Sequence, residues 1–141
     1  MPLYATKVKH QLSINELRKQ DADMHLWQEI EVCWSNVDKY DSLKPRTKGL
    51  GFHSNLTCNT TELDQSISYQ PWGTCVVLSH TMVPRVIGKC TDTRGLGCWA
   101  WTSLQGKEQA VAILSAYRPC VNRPHQVYTQ FTNNIQEYYL F

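Results

Sequence analysis

The clearest alternation of apolar and polar positions lies in CWAWTSL, residues 98–104. Trp99 and Trp101 fall on one face of an extended chain, and Ala100 and Thr102 fall on the other. This is the period-two pattern of a strand with one buried side. QGK at 105–107 predicts a hairpin turn, and the near-continuous apolar run AVAILSAY at 110–117 predicts a central strand after it.

The segment HQLSINELRKQ, residues 10–20, predicts an amphipathic helix. Ser13 and Glu16 form a capping-box pattern near its start. The predicted apolar face consists of Leu12, Ile14 and Leu17. Such a helix followed at once by a short apolar strand is typical of a layered α/β fold.

Further short apolar runs predict strands separated by polar connections. The predicted strands are 24–27, 52–58, 74–79, 85–88, 97–104 and 110–117. Residues 35–51 predict a helix fragment with a loop, residues 59–68 a polar connector, and residues 126–140 a closing helix. The pattern contains no internal repeat or linker, so we expect one α/β domain over residues 1–141.

Composition narrows the class of protein. With 42% hydrophobic and 18% charged residues, a globular chain is favoured over a disordered one. A net charge of +2 argues against nucleic-acid binding that is driven mainly by electrostatic attraction, but it allows a local basic patch. No apolar run approaches the roughly 20 residues of a membrane span, and MPLYATKVKHQ lacks the apolar core of a signal peptide. We therefore expect an intracellular protein, nuclear or cytoplasmic.

Six cysteines and two glycosylation sequons, at Asn55 and Asn59, leave a secreted disulfide domain as a weaker alternative. The cysteines lie at positions 33, 58, 75, 90, 98 and 120. No two of them lie within four positions of each other, so a zinc site of the CxxC type is not expected.

The block from Tyr69 to Cys120 reads YQPWGT, then VPRVIGKCTDTRGLGCWAWTSLQGK, then AVAILSAYRPC. In order and spacing it resembles the endonuclease/exonuclease/phosphatase family, in the branch carried by retroelement (reverse transcriptase) polyproteins. The resemblance implies a two-sheet sandwich, antiparallel or mixed, with flanking helices and an active site at one end. It also implies a hydrolase that cleaves DNA phosphodiester bonds with Mg²⁺.

The resemblance assigns roles to three residues. Glu29, in the Gln-Glu pair that follows the strand at 24–27, matches the metal-binding glutamate. Tyr117, at the end of the strand at 110–117, matches the tyrosine that positions the scissile phosphate, and Arg118 is expected to add a phosphate contact through its planar donor fork. Glu31 adds a carboxylate where the retroelement branch has a polar residue.

The chain also departs from the family pattern. It has Pro71-Trp72-Gly73-Thr74 where relatives read Pro-Gly-Gly-Thr, and Gly-Leu-Gly-Cys98-Trp where they read Gly-Leu-Gly-Arg-Trp. A first strand bearing an Asn, a GDxN segment and an Asp-His pair are all absent, and no Asp follows Asp92.

We therefore expect a truncated half of the family fold that is inactive. One sheet is expected to have an uncovered apolar face that self-associates or binds a partner chain. The residues predicted for that face are Val76, Leu78, Trp99, Trp101, Ile113 and Tyr117. The alternative is a non-catalytic module that binds nucleic acid or protein.

Overall fold

The computed structural model of the chain describes residues 3–32, 37–60 and 72–118. Its elements are α1 (Leu3–Lys19), β1 (Met24–Trp27), α2 (Leu43–Gly49), β2 (Phe52–Thr57), β3 (Thr74–Ser79), a 3₁₀ turn (Val83–Arg85), β4 (Val86–Thr91), β5 (Trp99–Gln105) and β6 (Ala110–Ala116). The predicted strands are all present, with ends that shift by at most three residues. The predicted closing helix at 126–140 and most of the connector at 59–68 lie outside the described residues.

The strands form two antiparallel sheets of three strands each, so the predicted α/β class is confirmed. Sheet 1 has the order β1-β3-β2, and sheet 2 has the order β4-β5-β6. In both sheets the middle strand is the one with the longest run of buried positions. None of the helices in the described ranges combines the length and apolarity that a membrane crossing requires.

β3 is buried on both of its faces, which explains why TCVVLS shows no alternation. Cys75 and Val77 pack against side chains of α1 and α2. Val76 and Leu78 pack on the other face against Ala100 and other residues of sheet 2. The described residues therefore form three layers: helices, sheet 1 and sheet 2.

This layering corrects the expectation of an uncovered apolar sheet face. Val76, Leu78 and Trp99 have at most 1% of their surface exposed. Val76 and Leu78 are covered because β3 turns these side chains towards sheet 2, whereas Trp99 is buried in a separate cluster with Leu96 and Cys98. The predicted patch therefore does not form from these three residues.

Polar side chains join the two sheets across the core. Asn55 in β2 donates from Nδ2 to the carbonyl oxygens of Cys90 (3.1 Å) and Trp101 (2.9 Å).

Both sequon asparagines are buried, Asn55 at 7% exposed and Asn59 at 2%, so the folded chain has no room for a glycan on either.

Two further predictions were wrong in detail. Helix α1 begins at Leu3, so Ser13 lies inside the helix and does not cap it, and Leu12 is 61% exposed rather than packed. β6 lies at the edge of the described sheet 2, and its first three residues are exposed. The exposed part includes Val111 at 49%, and single exposed apolar side chains of this kind are ordinary on protein surfaces.

Candidate functional site

Four chain segments meet at one end of the sandwich. The end of β1 lies beside the start of β3, through the pair Trp27–Cys75, and the start of β5 lies beside the end of β6, through the pair Trp99–Ala116. Gln28 joins the two sheets here by donating from Nε2 to the carbonyl oxygen of Ala116 at 2.7 Å. We call this region, formed by residues 28–31, 72–74, 97–98 and 116–118, the Glu29 end.

Backbone hydrogen bonds fix the loop that follows β1. The amides of Ile30 and Glu31 donate to the carbonyl oxygens of Gly73 (3.1 Å) and Trp72 (2.8 Å). The amide of Gly73 in turn donates to the carbonyl oxygen of Gly97 at 3.1 Å. Backbone hydrogen bonds therefore connect the loop bearing Glu29 to the segment before β3, and that segment to the one before β5.

The Glu29 end also contains strained backbone. Among the described residues other than glycine, positive φ occurs at Glu29 (51°), Glu31 (54°) and Trp72 (70°), all in this region. Such conformations cost on the order of 1–3 kcal/mol each and are concentrated at functional sites. No sequence pattern signalled the strain at the two glutamates.

The three residues predicted for the site lie at this same end. Glu29 is exposed, Tyr117 is partly buried and Arg118 is exposed. The amide of Tyr117 donates to the carbonyl oxygen of Cys98 at 2.7 Å, which fixes the backbone where β6 ends. The structure therefore brings Glu29, Tyr117 and Arg118 to one end.

The carboxylates of this end give a limited fit to Mg²⁺. Glu29 and Glu31 lie two positions apart in one loop, and no three His, Cys, Asp or Glu residues in the described ranges form a metal-holding group. Mg²⁺ is commonly bound through one or two carboxylates, with water and substrate phosphate completing its octahedron. Glu29 fits the role of a single protein ligand of that kind.

Position 98, where the endonuclease/exonuclease/phosphatase pattern has arginine, faces the interior. Cys98 is fully buried, and its amide donates to Oδ2 of Asp92 at 3.2 Å. Burial, and then the charge of Asp92, raises the pKa of the Cys98 thiol to about 12. Cys98 is therefore a protonated packing residue at neutral pH rather than a nucleophile.

The histidines separate into packed and surface residues. His25 packs edge-on against Phe52, with ring centres 6.0 Å apart, so it is a packed side chain. Sequence reasoning assigned no role to His53 or His80, yet they line one cleft together with Lys44 and Lys48. The i, i+4 spacing of the two lysines was a signal that predicts one helix face, but it did not show what that face meets.

Comparison of the sequence with protein-family models finds no match, and comparison with curated proteins finds none either. The family resemblance remains a prediction from the motifs. The fold itself is an α/β arrangement of two antiparallel three-stranded sheets with few helices.

Proposed function

We propose that this chain is a nuclease-type domain of the endonuclease/exonuclease/phosphatase family, in the retroelement branch, whose Glu29 end binds the phosphodiester backbone of DNA. The observation that carries the proposal is the placement of Glu29, Tyr117 and Arg118 at one end of a two-sheet sandwich. Those three residues come from segments 88 positions apart that meet at the Gln28–Ala116 hydrogen bond. The motif resemblance of residues 69–120 adds to it.

Each residue has a definite role in this proposal. The Arg118 guanidinium binds a phosphate through paired N–H donors, and the Tyr117 hydroxyl donates to the same phosphate. Glu29 supplies the protein ligand for Mg²⁺, which when bound neutralises charge on the phosphate oxygens. These contacts position a DNA strand across the Glu29 end.

We do not expect cleavage by these 141 residues alone. Phosphodiester hydrolysis requires a group that orients or deprotonates water and groups that stabilise the charge of the transition state. The sequence has no Asp after Asp92 and no Asp-His pair for the first task. The proposed function is therefore DNA binding by a nuclease-like domain.

The test measures nicking and binding on the same protein. Supercoiled plasmid incubated with Mg²⁺ is expected to remain intact, and a duplex oligonucleotide is expected to bind with an affinity that falls as salt increases. Arg118→Gln should lower the slope of log K against log salt by about 1, because one phosphate contact is lost. The charge-matched control is Lys107→Gln, which lies in the β5–β6 turn at the opposite end and should leave the slope unchanged.

Other outcomes would change the conclusion. Nicking that Glu29→Ala abolishes would make the chain an active enzyme. Absence of both nicking and DNA binding would overturn the proposal and leave a protein-interaction module as the alternative.

A further inference from the structure

A second cluster of polar and charged side chains lies at the end of the sandwich opposite the Glu29 end. It surrounds a cleft of about 440 Å³ between α2, the start of β2 and the chain after β3. The cleft is lined by Lys44, Lys48, His53 and His80, and we call it the basic cleft. A six-residue strand is about 17 Å long, so β2 and β3 separate the basic cleft from the Glu29 end by roughly that distance.

The two lysines are presented together because they lie four residues apart on α2. In the part of the chain that the structure describes, no aspartate or glutamate lines the cleft. Among the described residues, neither Lys44 nor Lys48 forms an ion pair. The positive charge in the cleft is therefore not neutralised by a neighbouring carboxylate.

Positive charge on sheet 2 also acts on His53. Burial lowers the pKa of His53, and the charges of Lys89 and Lys44 lower it further. Lys89 lies on β4, which packs opposite β2. The His53 imidazole is therefore influenced by positive charge from both α2 and sheet 2.

Asp23, a carboxylate near the end of β3, is engaged by hydroxyl groups. Asp23 accepts hydrogen bonds at Oδ1 from the hydroxyls of Ser79 (3.1 Å) and Thr81 (2.9 Å). These bonds hold it beside β1, and it is not part of the cleft lining.

The wall of the cleft is apolar. Phe52, Val83 and Pro84 line it beside the basic residues. Clefts of roughly 300–1,000 Å³ with an apolar wall and a few convergent polar groups are typical of small-molecule sites. A ligand for this cleft needs an anionic group for the lysines and a flat or apolar body for the wall.

We propose that the basic cleft binds a phosphorylated nucleotide unit. Its phosphate lies against Lys44 and Lys48, the imidazoles of His53 and His80 are within the same cleft to donate or accept hydrogen bonds, and the base or sugar lies on Phe52 and Pro84. The inference does not depend on the function proposed for the Glu29 end.

Calorimetric titration with a nucleoside 5′-monophosphate, the matched nucleoside and inorganic phosphate tests the proposal. We expect the nucleotide to bind at least tenfold more tightly than the nucleoside, and inorganic phosphate to compete with it. Lys44→Gln combined with Lys48→Gln should weaken nucleotide binding at least tenfold. Lys107→Gln should change it less than twofold.

A short single-stranded oligonucleotide distinguishes the two sources of a nucleotide unit. Tighter binding of the oligonucleotide than of the mononucleotide indicates a nucleic-acid strand, and equal binding indicates a free nucleotide. Both lysines are exposed, so the double variant should keep the near-ultraviolet circular dichroism spectrum of the parent.

The proposal is overturned if the nucleoside binds as tightly as the nucleotide, if the double variant retains the affinity, or if no nucleotide binds. If nucleotide binding at the basic cleft is disproved, the function proposed for the Glu29 end still stands. The change of salt slope with Arg118→Gln measures that end separately.

Discussion

Nε2 of Gln28 donates a hydrogen bond of 2.7 Å to the carbonyl oxygen of Ala116, which belongs to the other sheet. A second hydrogen bond joins the residues that precede these two along the chain. Oγ of Ser115 donates to the carbonyl oxygen of Trp27 at 3.2 Å. The two bonds join β1 to β6 at the point where the chain continues into Glu29 and Tyr117. The geometry of the Glu29 end therefore depends on an inter-sheet contact between edge strands.

The two inter-sheet bonds should differ in their contribution to stability. Gln28 is exposed, whereas Ser115 is fully buried. We expect Gln28→Ala to cost about 0.5–1 kcal/mol and Ser115→Ala about 1–3 kcal/mol, because the second change leaves a carbonyl without its donor away from water. Urea unfolding midpoints measure both, and a larger loss for Gln28→Ala would contradict this assignment.

Trp72 should report backbone strain through a pair of variants. It has a φ of 70°, and its side chain packs against the cluster of Leu96, Cys98 and Trp99. Trp72→Ala and Trp72→Gly both lose that packing, but glycine also relieves the left-handed strain. After the larger unfolded-state entropy of glycine is included, we expect the glycine variant to be more stable by about 0.5–1 kcal/mol.

The matched control for Trp72 is Leu12, which is exposed on α1. There the order of the two variants should reverse by about 1 kcal/mol, because glycine is unfavourable inside a helix. The same order at both positions would show that residue 72 is not strained.

Gly97 should tolerate no side chain. It has a φ of +73°, and a Cβ there would lie 2.4 Å from the carbonyl carbon of Cys58 and 2.5 Å from the amide of Asn59. We expect Gly97→Ala to lower the free energy of unfolding by more than about 2 kcal/mol, since backbone atoms have to move apart. Gly49→Ala meets nothing within 4 Å and should raise stability by about 0.5–1 kcal/mol.

His25 should make stability depend on pH. Burial lowers its pKa from the ordinary 6.5, and Nε2 is buried without a hydrogen-bond partner among the described residues. Below pH 6.5 the unfolded chain binds a proton that the folded chain resists, so stability is full above 6.5 and falls as pH drops through the folded pKa.

A substitution isolates the contribution of this histidine. His25→Phe should flatten the decline of the unfolding midpoint between pH 7.5 and pH 5.5, while the difference at pH 8 measures packing alone. His53, whose pKa is also lowered, should account for part of the decline that remains. An unchanged pH slope in His25→Phe would contradict the prediction.

Local patterns predicted much of the fold. The face alternation around Trp99 and Ala100 is confirmed by their separate packing clusters, and the hairpin turn after Gln105 is confirmed by the β5–β6 pairing. These features depend on residues within a few positions of each other. Among the described residues β6 is an edge strand rather than the expected central one, because an apolar run does not report which strands lie beside it.

The sequence predicted which residues form the candidate site but not how they are arranged. Glu29, Tyr117 and Arg118 came from motif resemblance, whereas the strained φ angles and the Gln28–Ala116 bond appear only in the folded chain. Cys98 illustrates the same limit, since only the structure shows that its position faces Asp92 in the interior.

The sequence by itself determined where the strands lie and which of their side chains share a face, because the two-residue period of a strand is a local property of the chain. Only the tertiary structure decided that sheet 2 covers Val76 and Leu78, and that Lys44 and Lys48 meet His53 and His80. Those contacts join segments of different elements, and the pairing of strands and the packing of layers determine them. A one-dimensional pattern does not carry that information.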